Sequence, residues 1–298
     1  MCRNVGSAGR GFNRRVGAAI WQGPARTLKI PPLALPGRAI MSVVGIRTRP
    51  AALRSAAWLA FNCLQLGFTL LWTAGWICAA LLLRLVRDER LPLRMASRCW
   101  APGLLHGAGV RLQVEGLERV DWTQPLVLVC NHQSIIDVCA LFRAVPTPLR
   151  FVLKQEMTRV PFVGWYARRM GMVFIERGSA RSSPQRLRDA VELVRGGGQL
   201  CAFPEGTRSR DGVVGPFKGG VLQVAIAAGV PVVPVAISGS GAVLPAAGFK
   251  VRPGVIRLRF GAPIPTTDLA VEDRNTLARQ ARDAVIDLLH PVHATADR

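Results

Sequence analysis

The first 54 residues contain no acidic side chain, the 298-residue chain has one tyrosine, and only four of its 39 basic residues are lysine. Its 7 cysteines form no CxxC pair and no zinc-ligand spacing, which excludes a small disulfide scaffold and a zinc-held fold. An odd count without pattern fits reduced thiols facing the cytoplasm. No GxSxG elbow is present, so no serine stands out as a covalent nucleophile. Neither GxGxxG nor GxxxxGK[ST] occurs, which removes the usual dinucleotide and nucleotide loops. No short apolar stretch with a cleavage site lies near the start, which argues against a secretory signal.

What is present is an unusual pairing of charge and apolarity. The formal net charge is +21 while 50% of residues are hydrophobic, and the mean hydropathy is +0.26. Disorder along most of the chain is excluded, because apolar material for a core is ample. The charge could point to nucleic acid, to an anionic membrane or to an anionic substrate. Its distribution narrows the choice. Ten basic side chains (Arg3, Arg10, Arg14, Arg15, Arg26, Lys29, Arg38, Arg47, Arg49 and Arg54) crowd residues 1–54. Residues 1–40 show Gly, Arg and Pro without periodicity, so 1–54 is expected to be a disordered basic leader. A second methionine stands at Met41. Translation starting there is the favoured expectation, and a tail that touches lipid or nucleic acid is the alternative.

Apolarity peaks between Arg54 and Arg84, where 29 residues carry no charge. As a helix this stretch is about 43 Å long, enough to cross a hydrocarbon core of about 30 Å. Trp58, Trp72 and Trp76 suit a membrane interface, and both flanks are basic. A helix that dips into one leaflet and returns fits two basic flanks as well as a span does. Residues 91–109 can supply a second interfacial helix. Residues 55–109 are therefore expected to form a membrane anchor, and 110–298 the catalytic domain.

Beyond Val110, short β-branched runs alternate with helical stretches. The runs are Leu126–Cys130, Arg150–Leu153, Met172–Ile175, Gln199–Phe203, Val230–Ile237 and Val255–Phe260. Several are apolar on both faces, as buried parallel strands are. Ser183-Pro184 opens a helix that Gly196 closes, Lys218–Ala228 ends at Gly229, and Arg274–Leu289 is amphipathic. The expected fold is α/β, with a mixed, mostly parallel sheet flanked by helices and preceded by a membrane-anchoring helix or helix pair. Sites in such folds gather at the carboxyl ends of strands.

The first of these runs leads into Asn131-His132-Gln133-Ser134-Ile135-Ile136-Asp137. Ser134 and Asp137 have capping-box spacing. Across a strand-to-helix bend, His132 and Asp137 can meet as a general base and the carboxylate that orients it. The fourth run leads into Phe203-Pro204-Glu205-Gly206-Thr207-Arg208-Ser209-Arg210. The planar fork of arginine suits phosphate oxygens, and Arg177 follows the third run to the same edge. Taken singly, each of these residues also fits a plain role as a helix cap or a solvated charge. A base without an enzymic nucleophile suggests direct attack by a substrate hydroxyl.

These blocks resemble those of the membrane-bound glycerolipid acyltransferases, and most closely the 1-acyl-sn-glycerol-3-phosphate (lysophosphatidic acid) acyltransferases. Asn131–Asp137 matches NHxSxxD. Lys154, Pro161, Gly164, Gly171, Ile175 and Arg177 match a second block, Phe203–Ser209 matches FPEGTRS, and Val230–Val235 matches a proline-bearing fourth. The likeness covers roughly 55–265 and leaves out residues 1–40. It implies that His132 deprotonates a glycerol hydroxyl with Asp137 orienting it, while Asn131, Ser134 and Pro204 support the motifs. It also implies that Arg177, Glu205, Gly206, Thr207 and Arg208 hold the phosphate-bearing acceptor. Lys154 is the candidate for oxyanion stabilisation.

The resemblance further implies an O-acyltransferase that needs no metal and no cofactor. Acyl-CoA or acyl carrier protein is the co-substrate, and membrane phospholipid and lysophospholipid are the partners. The place is the cell inner (cytoplasmic) membrane, with the catalytic domain facing the cytoplasm. Alternative acceptors are a lyso-ornithine lipid or glycerol-3-phosphate. A membrane-tethered thioesterase or phosphatase, with His132 activating water, is the reading from another class. A non-enzymatic lipid- or nucleic-acid-binding module leaves the four blocks unexplained. It also lacks the interleaved aromatics that base stacking requires, so no nucleic-acid partner is expected.

Overall fold

The computed structural model describes residues 51–88, 90–175 and 184–290. In chain order its elements are α1 (Ala51–Leu83), α2 (Arg90–Met95), a π-helical turn (Ala96–Trp100), α3 (Ala101–Gly107), β1 (Val110–Glu115), β2 (Val127–Cys130), α4 (Ile136–Ala144), β3 (Leu149–Lys154), α5 (Val163–Arg169), β4 (Val173–Ile175), α6 (Pro184–Arg195), β5 (Gln199–Ala202), α7 (Gly220–Ala228), β6 (Val232–Ser238), α8 (Ser240–Val243), β7 (Gly254–Phe260) and α9 (Arg274–Leu289). Residues 1–50 of the basic leader, Arg177 and the Ser183 cap lie outside the described residues, whereas 51–54, expected to close a disordered leader, are the first turn of α1 because the helix of the uncharged stretch extends back through them.

The strands form one seven-stranded sheet in the order β1-β7-β6-β2-β5-β3-β4. Neighbours are parallel except at one junction, β6 against β7. The mixed, mostly parallel sheet is as expected. β2 and β5 are buried at every position and β6 at all but its last, which is why these runs read as continuously apolar. The side-chain period of two splits β2 between two cores. Leu128 and Cys130 join α3 and α4 on one face, while Val127 and Val129 join α6, α7 and α9 on the other.

Six strand runs are legible in the sequence and the seventh is not. β1 carries Arg111, Gln113 and Glu115 and pairs on one side only, with β7. An edge strand half open to solvent lacks the apolar run that marks a buried one.

α1 and the stretch 90–107 form an antiparallel helical hairpin. Trp72 Nε1 donates to the Trp100 carbonyl at 3.1 Å, and Trp100 Nε1 donates to Thr73 Oγ1 at 3.1 Å. Gly103 and Gly107 make the close approach possible. A Cβ at Gly103 would lie 2.4 Å from the Trp72 ring, and one at Gly107 would lie 2.5 Å from Phe68. Asn62 Oδ1 accepts the Val251 N–H at 2.7 Å, tying α1 to the sheet domain. Ala56–Leu83 is long and apolar enough to cross a membrane. Its outer face exposes Trp58, Leu59, Leu64, Leu70 and Leu71. The second arm differs from the expected division at residue 109. Leu93, Ala96, Ala101, Leu104 and Leu105 are buried in the same core as β2 and α4, so 90–107 is a layer of the domain as well as an arm of the hairpin.

One local conformation stands apart. Phe162 has φ 60° and ψ −58°, and is the one non-glycine residue with positive φ among the described residues. The Val163 N–H reaches the Pro161 carbonyl at 2.6 Å. This is a γ-turn of the uncommon hand, costing on the order of 1–3 kcal/mol. Behind it Gly164 packs directly on backbone, where a Cβ would lie 2.4 Å from the Thr158 carbonyl oxygen.

The side chain of Asn131 continues the pairing of β2 with β6 one residue past the last strand rung. Its Oδ1 accepts the Ile237 N–H at 2.7 Å and its Nδ2 donates to the Ile237 carbonyl at 2.9 Å. Asn131→Ala should therefore leave two buried backbone groups unpaired and destabilise the fold by about 2–4 kcal/mol, measured as a lower midpoint in chemical denaturation.

Candidate active site

The five strands β2 to β6 share one direction, so their carboxyl ends lie along one edge. Helix α4 begins at that edge, and its first turn needs acceptors for its free N–H groups. Ser134 and Asp137 provide them. Ser134 Oγ accepts the Ile136 N–H at 3.3 Å, and Asp137 Oδ2 accepts the Ser134 N–H at 2.9 Å. The carboxylate half of the expected capping box is present, while the Asp137 N–H bonds the Ser134 carbonyl at 3.2 Å rather than its hydroxyl. The Ser134 hydroxyl also donates to the Leu244 carbonyl at 2.6 Å, fastening the turn to the segment after α8.

Asp137 Oδ2 takes two further donors, the Gln133 N–H at 2.9 Å and His132 Nδ1 at 2.8 Å. Asp137 is fully buried, whereas the His132 side chain retains 17% exposure. An oxygen that already accepts two backbone N–H bonds is an acceptor, so the network assigns the proton to Nδ1 of His132. Nε2 then presents its lone pair outward, and no partner holds it among the described residues. A base of this form can take a proton from a hydroxyl while the buried carboxylate stabilises the imidazolium.

The loop after β5 holds the imidazole from the other side. The Phe203 ring stacks on His132 with centroids 3.9 Å apart and planes at 16°. Gly206, at φ 72°, turns the chain back, with its N–H on the Phe203 carbonyl at 2.9 Å. Glu205 Oε1 then accepts the His132 N–H at 2.9 Å, and Ser209 N donates to the His132 carbonyl at 2.7 Å. Both backbone groups of His132 are thus clamped by this loop. Glu205 Oε2 accepts the Gly215 N–H at 2.9 Å. Arg282 on α9 anchors the far side, donating to the Gly215 and Val214 carbonyls at 2.9 and 2.8 Å.

Of the residues singled out by sequence, Asn131, His132, Ser134, Asp137, Pro204, Glu205 and Gly206 come together. Glu205, expected to hold substrate, has each oxygen on a backbone amide, and its contacts position His132. Thr207 and Arg208 are exposed on the same loop, open to a ligand. Lys154 ends β3 at the same edge, also exposed. Two contributors escaped the sequence reading. Phe203 falls within a recognised block, but nothing local announces its stack on His132. Arg282 is 150 residues from His132 in the chain, and only the packing of α9 brings it to the loop.

Burial pushes the Glu205 carboxyl above its ordinary value, against the opposing pull of the Gly215 and His132 N–H bonds, the His132 charge and the Arg282 charge. A raised carboxyl pKa means that the folded state binds its proton more tightly than the unfolded state. This contribution to stability is present below the unfolded value and is lost as pH rises through the folded one. Glu205→Gln removes the titration. The stability of wild type relative to Glu205→Gln should therefore fall as pH rises through the carboxylate range and level off above it, read from paired unfolding midpoints.

Comparison with known proteins supplies the family. The family model described as Acyltransferase matches residues 111–238. A lyso-ornithine lipid O-acyltransferase from Pseudomonas aeruginosa is 34% identical over 250 residues, 78% of this chain and 91% of the relative. A chloroplastic 1-acyl-sn-glycerol-3-phosphate acyltransferase from Brassica napus is 35% identical over 173 residues, 56% of this chain and 50% of the relative. The chain thus spans about half the length of that plant relative. The crystal structure of a 1-acyl-sn-glycerophosphate (LPA) acyltransferase from Thermotoga maritima superposes with a TM-score of 0.67 at 25% identity, covering 80% of this chain and 98% of that one. With the His132–Asp137 pair set at the edge of the same sheet, the chain belongs to the acyltransferase family that includes the 1-acyl-sn-glycerol-3-phosphate acyltransferases.

Proposed function

We propose that the protein transfers a fatty acyl group from an acyl-CoA or acyl-carrier-protein thioester to the sn-2 hydroxyl of 1-acyl-glycerol-3-phosphate, giving phosphatidic acid. The observation that carries this reading is the 2.8 Å contact between His132 Nδ1 and buried Asp137, which leaves Nε2 free at the strand edge. Nε2 takes the hydroxyl proton as the oxygen attacks the thioester carbonyl. The oxyanion that forms collapses, the carbon–sulfur bond breaks, and the departing thiolate receives the proton from the imidazolium. An ester and a free thiol result, with no covalent enzyme intermediate. Asp137 offsets the transient imidazolium charge and fixes the tautomer. Arg208, exposed on the clamped loop, holds the acceptor phosphate together with Arg177, Gly206 and Thr207. Lys154 offers a positive charge to the oxyanion.

The hairpin supports a membrane location, with α1 as its deepest part. We place the domain on the cytoplasmic side of the cell inner membrane, where its reduced cysteines and soluble thioester donors belong. A lyso-ornithine lipid is the competing acceptor, favoured by the relative that this chain matches over 91% of its length. Acceptor profiling of the reconstituted protein decides between them. Labelled acyl-CoA is offered with lysophosphatidate, glycerol-3-phosphate or a lyso-ornithine lipid, and preferential labelling of phosphatidic acid is expected. Thiol release without any acceptor indicates a thioesterase instead.

Two substitutions test the chemistry. His132→Ala should lower kcat by roughly 10²–10⁴-fold in a thiol-release assay with acceptor present, and near-normal turnover refutes the base role. Arg208→Ala should raise the acceptor KM by roughly ten- to a hundredfold with a smaller change in kcat. An unchanged KM removes Arg208 from the phosphate site.

A further inference from the structure

We infer that the γ-turn Pro161–Val163 and the helix behind it form a second membrane contact, separate from the hairpin, that seats in the headgroup layer of an anionic phospholipid bilayer. The inference rests on the membrane location proposed above and adds a surface within the sheet domain. Phe162 and Trp165 are 39% and 48% exposed, and their rings pair at 5.3 Å. Val160, beside them, is 40% exposed. A solvent-facing loop gains nothing from holding a phenylalanine outward in an uncommon backbone conformation. The turn is nevertheless held firmly, by the Val163 bond to Pro161 and by the direct packing of Gly164 on the Thr158 carbonyl. Arg168 braces it further, donating to the Thr158 carbonyl at 2.7 Å.

Charge and continuity point to lipid as the occupant. Between Lys154 and Arg169 the chain carries Lys154, Arg159, Arg168 and Arg169 against one acid, Glu156. All four cations are exposed. Aromatic rings flanked by arginines are the composition of a surface that lies in the bilayer interface, and each cation near an anionic leaflet adds to the attraction. α5 also packs against α1, so the patch continues the apolar face of the hairpin. The segment leaves the carboxyl end of β3, on the edge that carries His132. Seating it in the headgroups turns that edge toward the lipid surface, from which a lysolipid acceptor must come. An acidic carrier protein could meet the same arginines, but it gives no reason for the outward Phe162 and Trp165.

The test uses the full chain reconstituted in phosphatidylglycerol-containing vesicles whose acyl chains are brominated near the headgroup. Subtracting the emission of Trp165→Phe from that of wild type isolates one of the 7 tryptophans. The difference signal is expected to be blue-shifted and quenched by the brominated lipid. Phe162→Ser combined with Trp165→Ser should slow acylation of vesicle-borne lysophosphatidate by roughly three- to tenfold, as expected for loss of one interfacial contact, and leave detergent-dispersed acceptor turning over as before. Wild type that floats with vesicles but shows unquenched Trp165 emission overturns the second contact alone, as does a Trp165 signal that responds only to acyl carrier protein. Wild type that does not float overturns the membrane location as well. Failure to acylate either form of the acceptor refutes the proposed reaction, and the quenching result stands independently of it.

Discussion

Asp137 Oδ2 accepts three donors at once: the His132 ring and the backbone N–H groups of Gln133 and Ser134. Helix entry demands acceptors for unpaired N–H groups, and a base needs a carboxylate behind it. One buried oxygen meets both demands. Capping therefore fixes the carboxylate, and the carboxylate fixes the imidazole without a separate device. The second oxygen, Oδ1, is buried with no partner among the described residues.

His132 is held from the opposite side by a loop that is itself held from a distance. Glu205 and Ser209 clamp its backbone, Phe203 covers its ring, and Arg282 fastens the loop at Val214 and Gly215. The effect is a rigidly held imidazole with one open nitrogen. Thr207 and Arg208 occupy the outer turn of the same loop, exposed and without protein partners among the described residues. Tight inner contacts and open outer cations divide the loop into a part that positions the base and a part available to an anionic ligand. Preorganisation of this kind matters because a small misplacement of a base costs rate steeply.

The excess of basic charge and the apolar excess, which look contradictory in bulk, separate in space. Apolarity divides between the two-sided core of the sheet and the outer face of the hairpin. Basic residues gather beside the hairpin, at the aromatic γ-turn and on the site loop, and others are spread over the sheet domain. That arrangement suits an anionic lipid surface and an anionic substrate rather than a nucleic acid. The hairpin arm 90–107 belongs to both regions, since its inner residues are core to the domain while its glycines seat Trp72 and Phe68 of α1.

Local chemistry determined much of this protein. Continuous β-branched runs marked the buried strands, because both of their faces meet helices. Ser134 and Asp137 announced the start of α4 through their spacing, and His132 before them marked the candidate base. The 29-residue uncharged stretch declared its helix. Edge strand β1 was hidden because pairing on one side leaves alternate residues polar. The division at residue 109 dissolved because burial of Leu93, Ala101 and Leu105 depends on what packs over them. Phe203 against His132, Arg282 against Gly215 and the two amide bonds of Glu205 came only from the tertiary structure. Periodicity and capping act over a few residues, so sequence reports them. The contacts that aim the base join segments separated by tens of residues, and only sheet order and helix packing decide which of those segments meet.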